Sequence, residues 1–212
     1  MHQHTFSSVL HTSLTSLCMS LSNALLSLPF SPSQFDLDLG SRPPKDSAEW
    51  QQYKQHMFEF EFNTANGTAR TRVLNDVVGD FPVVPAALVG RPCRYTYVAE
   101  MSIDTDLPKF TGVVKMDLTT GEVAGRVTFG EHRFGGEAVF VPAKDAAQED
   151  DGYLITFVTD ESRPEALTSS LVVYDARTMA AAPVAVVKLP CRVPYGFHGL
   201  HVNERQLQGQ CK

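Results

Sequence analysis

A pattern that occurs three times constrains this sequence most. In each copy, an apolar segment typical of a β-strand is followed by Asn or Asp, a short polar turn and a second such segment. The turns begin at Asn63, Asp117 and Asp175, which lie 54 and 58 residues apart. Asn and Asp side chains close turns by accepting backbone hydrogen bonds, and Gly67 and Gly121 can adopt positive φ. The sequence therefore predicts three β-hairpins at a regular spacing.

The segments between these hairpins have room for two more strands per repeat. One slot holds "RYTYVAE" (94–100) and "GYLITFV" (152–158), and the other holds "GDFPVV" (79–84), "GEAVFVP" (136–142) and "FHGLHV" (197–202). Four strands in a repeat of roughly 40–50 residues are typical of a β-propeller blade. We predict an all-β fold with about two complete blades, a hairpin before them and one strand after them. Closed propellers need about four to eight blades, so this is a partial propeller. A β-sandwich is the alternative.

Residues 1–56 differ in composition from the rest of the chain. Positions 1–35 contain no Asp, Glu, Lys or Arg and are rich in Ser and Leu. Transit peptides are rich in Ser and poor in acidic residues but normally carry Arg, so a disordered leader and a transit peptide are both open interpretations. We predict a leader and linker over 1–56, the propeller part over 57–205 and a tail over 206–212.

Charge and composition disfavour several classes of function. The net charge is −6 and no stretch is rich in Lys or Arg, so we expect no nucleic-acid partner. No run of about 18 apolar residues is present, so no transmembrane helix is expected. The four cysteines form no CxxC pair, which favours free thiols in a reducing compartment.

Polar residues recur where the first strand of each predicted blade opens. These residues are Asp80, Glu137 and His198, which lie 57 and 61 residues apart and so follow the repeat. The first strands of propeller blades surround the central axis, so the three side chains would converge. Two carboxylates and an imidazole form a candidate metal neighbourhood. Asp80 and Glu137 could instead close local turns, and His198 could be a buried core histidine.

Five longer motifs follow one another between residues 57 and 202. They are "MFEFEFNTANGTARTRVLNDVVGDFPVVP", "RFGGEAVFVP", "EDDGYLITFV", "LVVYDARTM" and "VVKLPCRVPYGFHGLHV". This ordered set resembles the C-terminal part of the carotenoid oxygenase family, which includes the plant carotenoid cleavage dioxygenases and 9-cis-epoxycarotenoid dioxygenases. The order and spacing of the motifs specify the family better than the individual member.

The resemblance implies a fold and a metal site. The family fold is a seven-bladed propeller capped by helices, with a non-haem Fe(II) held by four histidines and with carboxylates that orient those ligands. By resemblance, His198 would be the last iron ligand. Glu137 and Asp80 would be orienting carboxylates, although Asp80 stands where some members have Glu. Phe197 would line the substrate cleft, with ordinary core packing as its alternative role.

The resemblance also implies a reaction, in which O2 cleaves a double bond of a carotenoid or apocarotenoid to give two carbonyl products. The motifs supply one of the four iron ligands, so we expect a fragment that is inactive alone. The alternatives are a non-catalytic propeller protein that binds an isoprenoid or a partner protein, and a metal-free interaction module.

The resemblance leaves the location of the protein open. Related plant enzymes occur in plastids and in the cytosol, so we expect a plastid location, with the cytoplasm as the alternative. A lipophilic substrate favours peripheral contact with membranes. The sequence does not indicate an oligomeric state, a particular carotenoid or a particular double bond.

Overall fold

A computed structural model describes residues 44, 47, 54–104, 109–163, 165–195 and 198–210, together with the backbone of 7–11 and 14–22. A short 3-10 turn covers Ala86–Leu88, and a helix, α1, covers Glu204–Gly209. The strands are β1 (Ser7–His11), β2 (Leu14–Ser22), β3 (Gln55–Asn63), β4 (Thr68–Val83), β5 (Tyr95–Ser102), β6 (Lys109–Asp117), β7 (Glu122–Thr128), β8 (Arg133–Phe134), β9 (Val139–Pro142), β10 (Gly152–Asp160), β11 (Thr168–Asp175) and β12 (Ala185–Lys188).

The described strands pair antiparallel in two sheets. The first sheet holds β1 to β7 in sequence order, and the second has the order β12-β11-β10-β8, with β9 also paired to β10. The long strand β4 pairs with two neighbours: residues 68–73 pair with β3, and residues 79–83 pair with β5. Strands β4–β7 and β9–β12 therefore form two four-stranded groups, and the prediction of a mainly β fold is confirmed.

The three predicted hairpin turns share one hydrogen-bonding scheme. In each, the side-chain oxygen Oδ1 of the opening residue accepts the backbone N–H groups two and three positions later. Its carbonyl oxygen accepts the N–H four positions later. The opening residues are Asn63, Asp117 and Asp175, so the regular spacing in the sequence corresponds to a repeated local structure.

The third turn differs from the other two at its last position. Gly67 and Gly121 occupy that position with φ of 71° and 77°, whereas Met179 has φ of 49°. A left-handed conformation costs a non-glycine residue about 1–2 kcal/mol, while burial of a Met side chain contributes about 1.5–3 kcal/mol. The Met179 side chain is buried against Gly125 of β7, where an added Cβ would lie 2.8 Å from the Cβ of Met179. Packing thus offsets the backbone strain.

The core joins the two four-stranded groups. Its members include Tyr97, Val113, Phe140 and Leu154, all of them buried. The rings of Tyr97 and Phe140 stack with centroids 5.6 Å apart, and the Tyr97 hydroxyl donates to the carbonyl of Ala176 at 3.1 Å. Contacts of this kind fix the positions of the strand ends on which the candidate site is built.

A buried ion pair reinforces this contact near the N-terminal end of β10. The ammonium group of Lys115 lies 2.6 Å from a carboxylate oxygen of Asp150 and donates to the carbonyl of Arg177. The ammonium also lies over the ring of Tyr95, 4.2 Å from its centroid. A buried charge that is paired and hydrogen-bonded in this way resists separation, because removing one partner would leave the other unsatisfied.

Two segments differ from the sequence prediction. Strands β1 and β2 lie in the predicted leader, for which disorder and a transit peptide were both open, and β2 pairs with β3 over its whole length. An uncharged segment can satisfy its backbone groups by pairing with the exposed edge of β3. The predicted strand at 197–202 is wrong for its described residues, 198–202, because the Gly199 N–H bonds a side chain instead of a neighbouring strand. Within the described ranges, no helix is long and apolar enough to cross a membrane.

The turn scheme predicts a dependence of stability on acid. The pKa of Asp175 lies below its ordinary value because the backbone N–H of Thr178 donates to its carboxylate. The contribution of this carboxylate to the free energy of unfolding is therefore fully present above the unfolded-state pKa of about 4. It is lost as pH falls through the lower folded-state pKa. Asp175→Asn keeps the acceptor, as Asn63 does in the first turn, and should reduce the acid-induced loss of stability seen in urea unfolding between about pH 5 and pH 3.

Asp145→Asn is the matched control, because Asp145 is an exposed aspartate outside the three turns. It should leave the pH dependence unchanged. Equal pH profiles for Asp175→Asn and the unmodified chain would contradict the assigned role of the turn carboxylate.

Candidate functional site

The structure brings together two of the predicted site residues, Glu137 and His198. Glu137 lies between β8 and β9, and His198 lies in the irregular segment after β12. Oε2 of Glu137 lies 3.3 Å from Nδ1 of His198 and accepts a 2.8 Å hydrogen bond from the backbone N–H of Gly199. The carboxylate-bearing side chain is 12% exposed and the imidazole is 54% exposed. The 61-residue separation in sequence is thus closed by a direct contact.

This contact decides which imidazole nitrogen could bind a metal. A carboxylate at Nδ1 favours the tautomer that carries its proton on Nδ1, so the lone pair lies on Nε2. Such a carboxylate also fixes the orientation of the ring and raises the basicity of the other nitrogen. Because the imidazole of His198 is half exposed, the arrangement matches a ligand histidine better than a buried core histidine.

Asp80 is not brought into the same cluster. Its Oδ1 accepts a 2.7 Å hydrogen bond from the N–H of Phe81, the next residue. In the part of the chain that the structure describes, no group of three His, Cys, Asp or Glu side chains is placed to hold a metal ion. The residues present therefore fit one ligand and its supporting carboxylate, and the role of Asp80 stays a prediction.

Phe81 is a site residue that the sequence analysis missed. Its ring meets the imidazole of His198 edge-on at a centroid distance of 5.2 Å and lies 5.1 Å from the ring of Phe110. Its backbone has φ of 55°, a left-handed conformation that is strained for a bulky residue. Strain of this kind is often found at functional sites. The only signal in the sequence is an aromatic residue directly after Asp80.

A cleft of about 180 Å³ adjoins His198. Phe157, Val193 and Pro194 give it an apolar wall, and Thr159 and Tyr195 give it polar atoms. Ligand pockets usually enclose about 300–1,000 Å³, so this cleft can hold only part of a large ligand. Phe197, predicted to line a substrate cleft, lies outside the described residues.

The segment that carries His198 is tied down before it reaches the imidazole. The N–H of Val193 donates to the hydroxyl of Ser169 at 2.9 Å. That hydroxyl is also 3.0 Å from the hydroxyl of Thr159, and both Ser169 and Thr159 are buried. This network attaches the segment to β10 and β11.

A second attachment involves Tyr195. Its hydroxyl donates to Oε1 of Glu161 at 2.6 Å, while the ammonium of Lys109 lies 2.5 Å from Oε2 of Glu161. Partial burial alone would raise the pKa of Glu161, but the hydrogen bonds from Lys109 and Tyr195 hold it below its ordinary value. Burial and the Glu161 carboxylate raise the pKa of Tyr195, so its phenol remains a donor at neutral pH.

Comparison with known proteins places the chain in a family. The family model described as retinal pigment epithelial membrane protein matches residues 13–203. Carotenoid 9,10(9',10')-cleavage dioxygenase 1 of Arabidopsis thaliana is 41% identical over 187 residues, covering 82% of this chain and 33% of that protein. The probable carotenoid cleavage dioxygenase 4, chloroplastic, of Arabidopsis thaliana is 44% identical over 135 residues, covering 60% of this chain and 22% of that protein.

A solved structure gives the same result. Cobalt-substituted apocarotenoid oxygenase from Synechocystis aligns with a TM-score of 0.74 and 27% identity, covering 93% of this chain and 38% of that chain. The chain belongs to the carotenoid oxygenase family, a family of oxidoreductases that includes the carotenoid cleavage dioxygenases. The matched part of the chain spans 33% and 22% of the length of the two curated relatives named above. The family match begins at residue 13, upstream of the boundary at Met57 that the motifs indicated.

Close packing at Gly135 predicts a specific sensitivity near Glu137. A Cβ at Gly135 would lie 2.5 Å from a ring carbon of Phe129 and 3.0 Å from the carbonyl oxygen of Phe157. Gly135→Ala should therefore lower the free energy of unfolding by about 1–3 kcal/mol, the usual cost of overpacking. Gly199→Ala is the control, because its Cβ would meet Val139 at an ordinary 3.5 Å. Equal denaturation midpoints for the two variants would contradict the packing argument.

The attachment of Tyr195 predicts an effect on mobility at His198. Tyr195→Phe removes the hydroxyl that donates to Glu161 and should release the segment that carries His198. We expect faster hydrogen exchange at the N–H of Gly199 with a small loss of stability, about 1 kcal/mol. Tyr153→Phe, at a partly exposed tyrosine on β10, should leave that exchange rate unchanged. An unchanged rate in Tyr195→Phe would show that the hydroxyl does not restrain the segment.

Proposed function

We propose that this chain forms part of a carotenoid cleavage dioxygenase and contributes His198 as one ligand of a non-haem Fe(II). The observation that supports this most directly is the contact of Glu137 with Nδ1 of His198 and with the N–H of Gly199. The reaction is the O2-dependent cleavage of a double bond in a carotenoid or apocarotenoid, giving two carbonyl products. When bound, the iron supplies the activation of O2.

The described residues have definite tasks in this proposal. Glu137 holds the Nδ1 proton of His198 and thereby directs Nε2 toward the metal. Phe81 restricts rotation of the imidazole through its edge contact. The apolar wall at Phe157 and Val193 contacts part of the polyene next to the metal and limits the access of water. Tyr195 keeps the ligand-bearing segment in place through Glu161.

The proposal extends to the architecture of the fold. We infer that strands β4–β7 and β9–β12 are two blades of a seven-bladed propeller, with β3 and the first part of β4 belonging to a neighbouring blade. Support comes from the two four-stranded antiparallel groups and from the structural similarity to the apocarotenoid oxygenase. In a propeller, Glu137 and His198 would face the axis, where the other metal ligands of the family converge.

One imidazole binds Fe(II) weakly, so this chain alone would be inactive. The iron site would be complete only with further histidines, as the family resemblance implies. The location we propose is the plastid, with support from the chloroplastic relative. A second candidate function is the binding of an isoprenoid without cleavage, which the apolar wall of the cleft favours.

Metal titration of the purified chain tests the ligand assignment. Paramagnetic Co²⁺ should shift and broaden the NMR signals of His198 selectively. Binding should be lost in His198→Ala and weakened by about 10–100-fold in Glu137→Gln, the usual cost of removing a carboxylate that supports a ligand histidine. His201→Ala is the matched control, because His201 is an exposed histidine three residues away.

The outcomes separate the candidate functions. Equal loss of binding in His201→Ala and His198→Ala would overturn the assignment of His198. Saturable binding of an apocarotenal by the chain, with no effect of metal or of His198→Ala, would favour isoprenoid binding without cleavage. Stoichiometric iron together with cleavage by this chain would overturn the expectation that it is inactive alone.

A further inference from the structure

A second cavity, here called the inter-sheet cavity, lies away from His198. It encloses about 460 Å³ between one face of strands β10–β12 and the chain that links β7 to β8. Its volume falls within the range of about 300–1,000 Å³ that is usual for ligand pockets. None of the described residues that line the cleft beside His198 also lines this cavity. Its apolar wall includes Phe129, Val158, Val172 and Val186.

Tyr174 is a buried polar group in this wall. It is 4% exposed, and its ring packs on that of Phe129 with centroids 6.4 Å apart. Tyr174 lines the cavity, and its hydroxyl forms no hydrogen bond with another described residue. It is not among the fully buried unpaired polar atoms of the described residues, so it keeps access to solvent. Burial raises the pKa of Tyr174, so the hydroxyl remains a donor. An acceptor bound in the cavity can take the place of water as the hydrogen-bond partner of this hydroxyl.

The charges around the cavity select the kind of acceptor. Arg133 and Lys188 line it as cations and Asp160 lines it as a carboxylate, so the lining carries one net positive charge. The ion pair of Arg133 with Asp160 uses Nε at 3.1 Å, which leaves the terminal nitrogens of the guanidinium for an anion. Arg133 and Tyr174 both line the cavity.

We propose that the inter-sheet cavity is a binding site for a small amphipathic carboxylate. The carboxylate accepts hydrogen bonds from the Tyr174 hydroxyl and the guanidinium of Arg133. The hydrocarbon body packs on Phe129, Val158 and Val172, and Lys188 adds to the positive field at the edge of the cavity. This proposal does not depend on the function proposed for His198, because the two sites share no described lining residue.

Titration of the full chain with octanoate, followed by calorimetry and by NMR shifts of β10 and β11, tests the proposal. Octanoate should bind saturably and should shift residues around Tyr174 rather than Glu137 and His198. Tyr174→Phe removes only the hydroxyl and should weaken binding about tenfold, as should Arg133→Gln. Tyr153→Phe, at a tyrosine that does not line the cavity, is the control and should bind octanoate as the unmodified chain does.

Octanol provides the second arm of the experiment, because it has the same chain length and no charge. It should bind at least tenfold more weakly than octanoate. The proposal is overturned by non-saturable octanoate binding, by equal affinities for octanoate and octanol, or by equal octanoate affinities for Tyr174→Phe and Tyr153→Phe. Circular dichroism of each variant distinguishes a local effect on binding from a loss of the fold.

Discussion

The carboxylate of Glu137 is the group on which the candidate site depends. One of its oxygens faces Nδ1 of His198 and accepts the N–H of Gly199, so a single side chain fixes both an imidazole and the backbone that carries it. This interaction takes the place of strand pairing at residues 198–202, which form no strand. The N–H of Val193 and the hydroxyl of Tyr195 attach the preceding residues to Ser169 on β11 and to Glu161, which follows β10.

Much of the fold could be predicted from the sequence because turns and strand pairs are specified locally. Asn63, Asp117 and Asp175 determine their turns through contacts within four residues, and apolar alternation marks the strands. The contact between Glu137 and His198 could be proposed only from the phase of the repeat and from family resemblance, since it joins residues 61 positions apart. The position of Phe81 after Asp80 was too weak a signal to identify it, because its contacts depend on a strained backbone and on aromatic rings distant in sequence, those of Phe110 and His198.

The strand prediction at 197–202 failed for a physical reason that the apolar pattern does not reveal. A strand needs a neighbour for its backbone groups, whereas here the N–H of Gly199 is used by a carboxylate. The leader shows the opposite case: a segment interpreted as disordered or as a transit peptide contains β1 and β2, and β2 pairs with β3. Both differences arise from pairing partners that the local sequence does not specify.

Met179 and Gly125 show how the repeat tolerates variation. A glycine at the end of the third turn would relax the backbone but empty the space that Gly125 leaves open on β7. A larger residue at position 125 would conversely require a smaller one at position 179. Positions 125 and 179 are therefore expected to covary among homologues. A search for glycine-containing turns alone would overlook the third copy of the repeat, although its turn has the same hydrogen bonds as the other two.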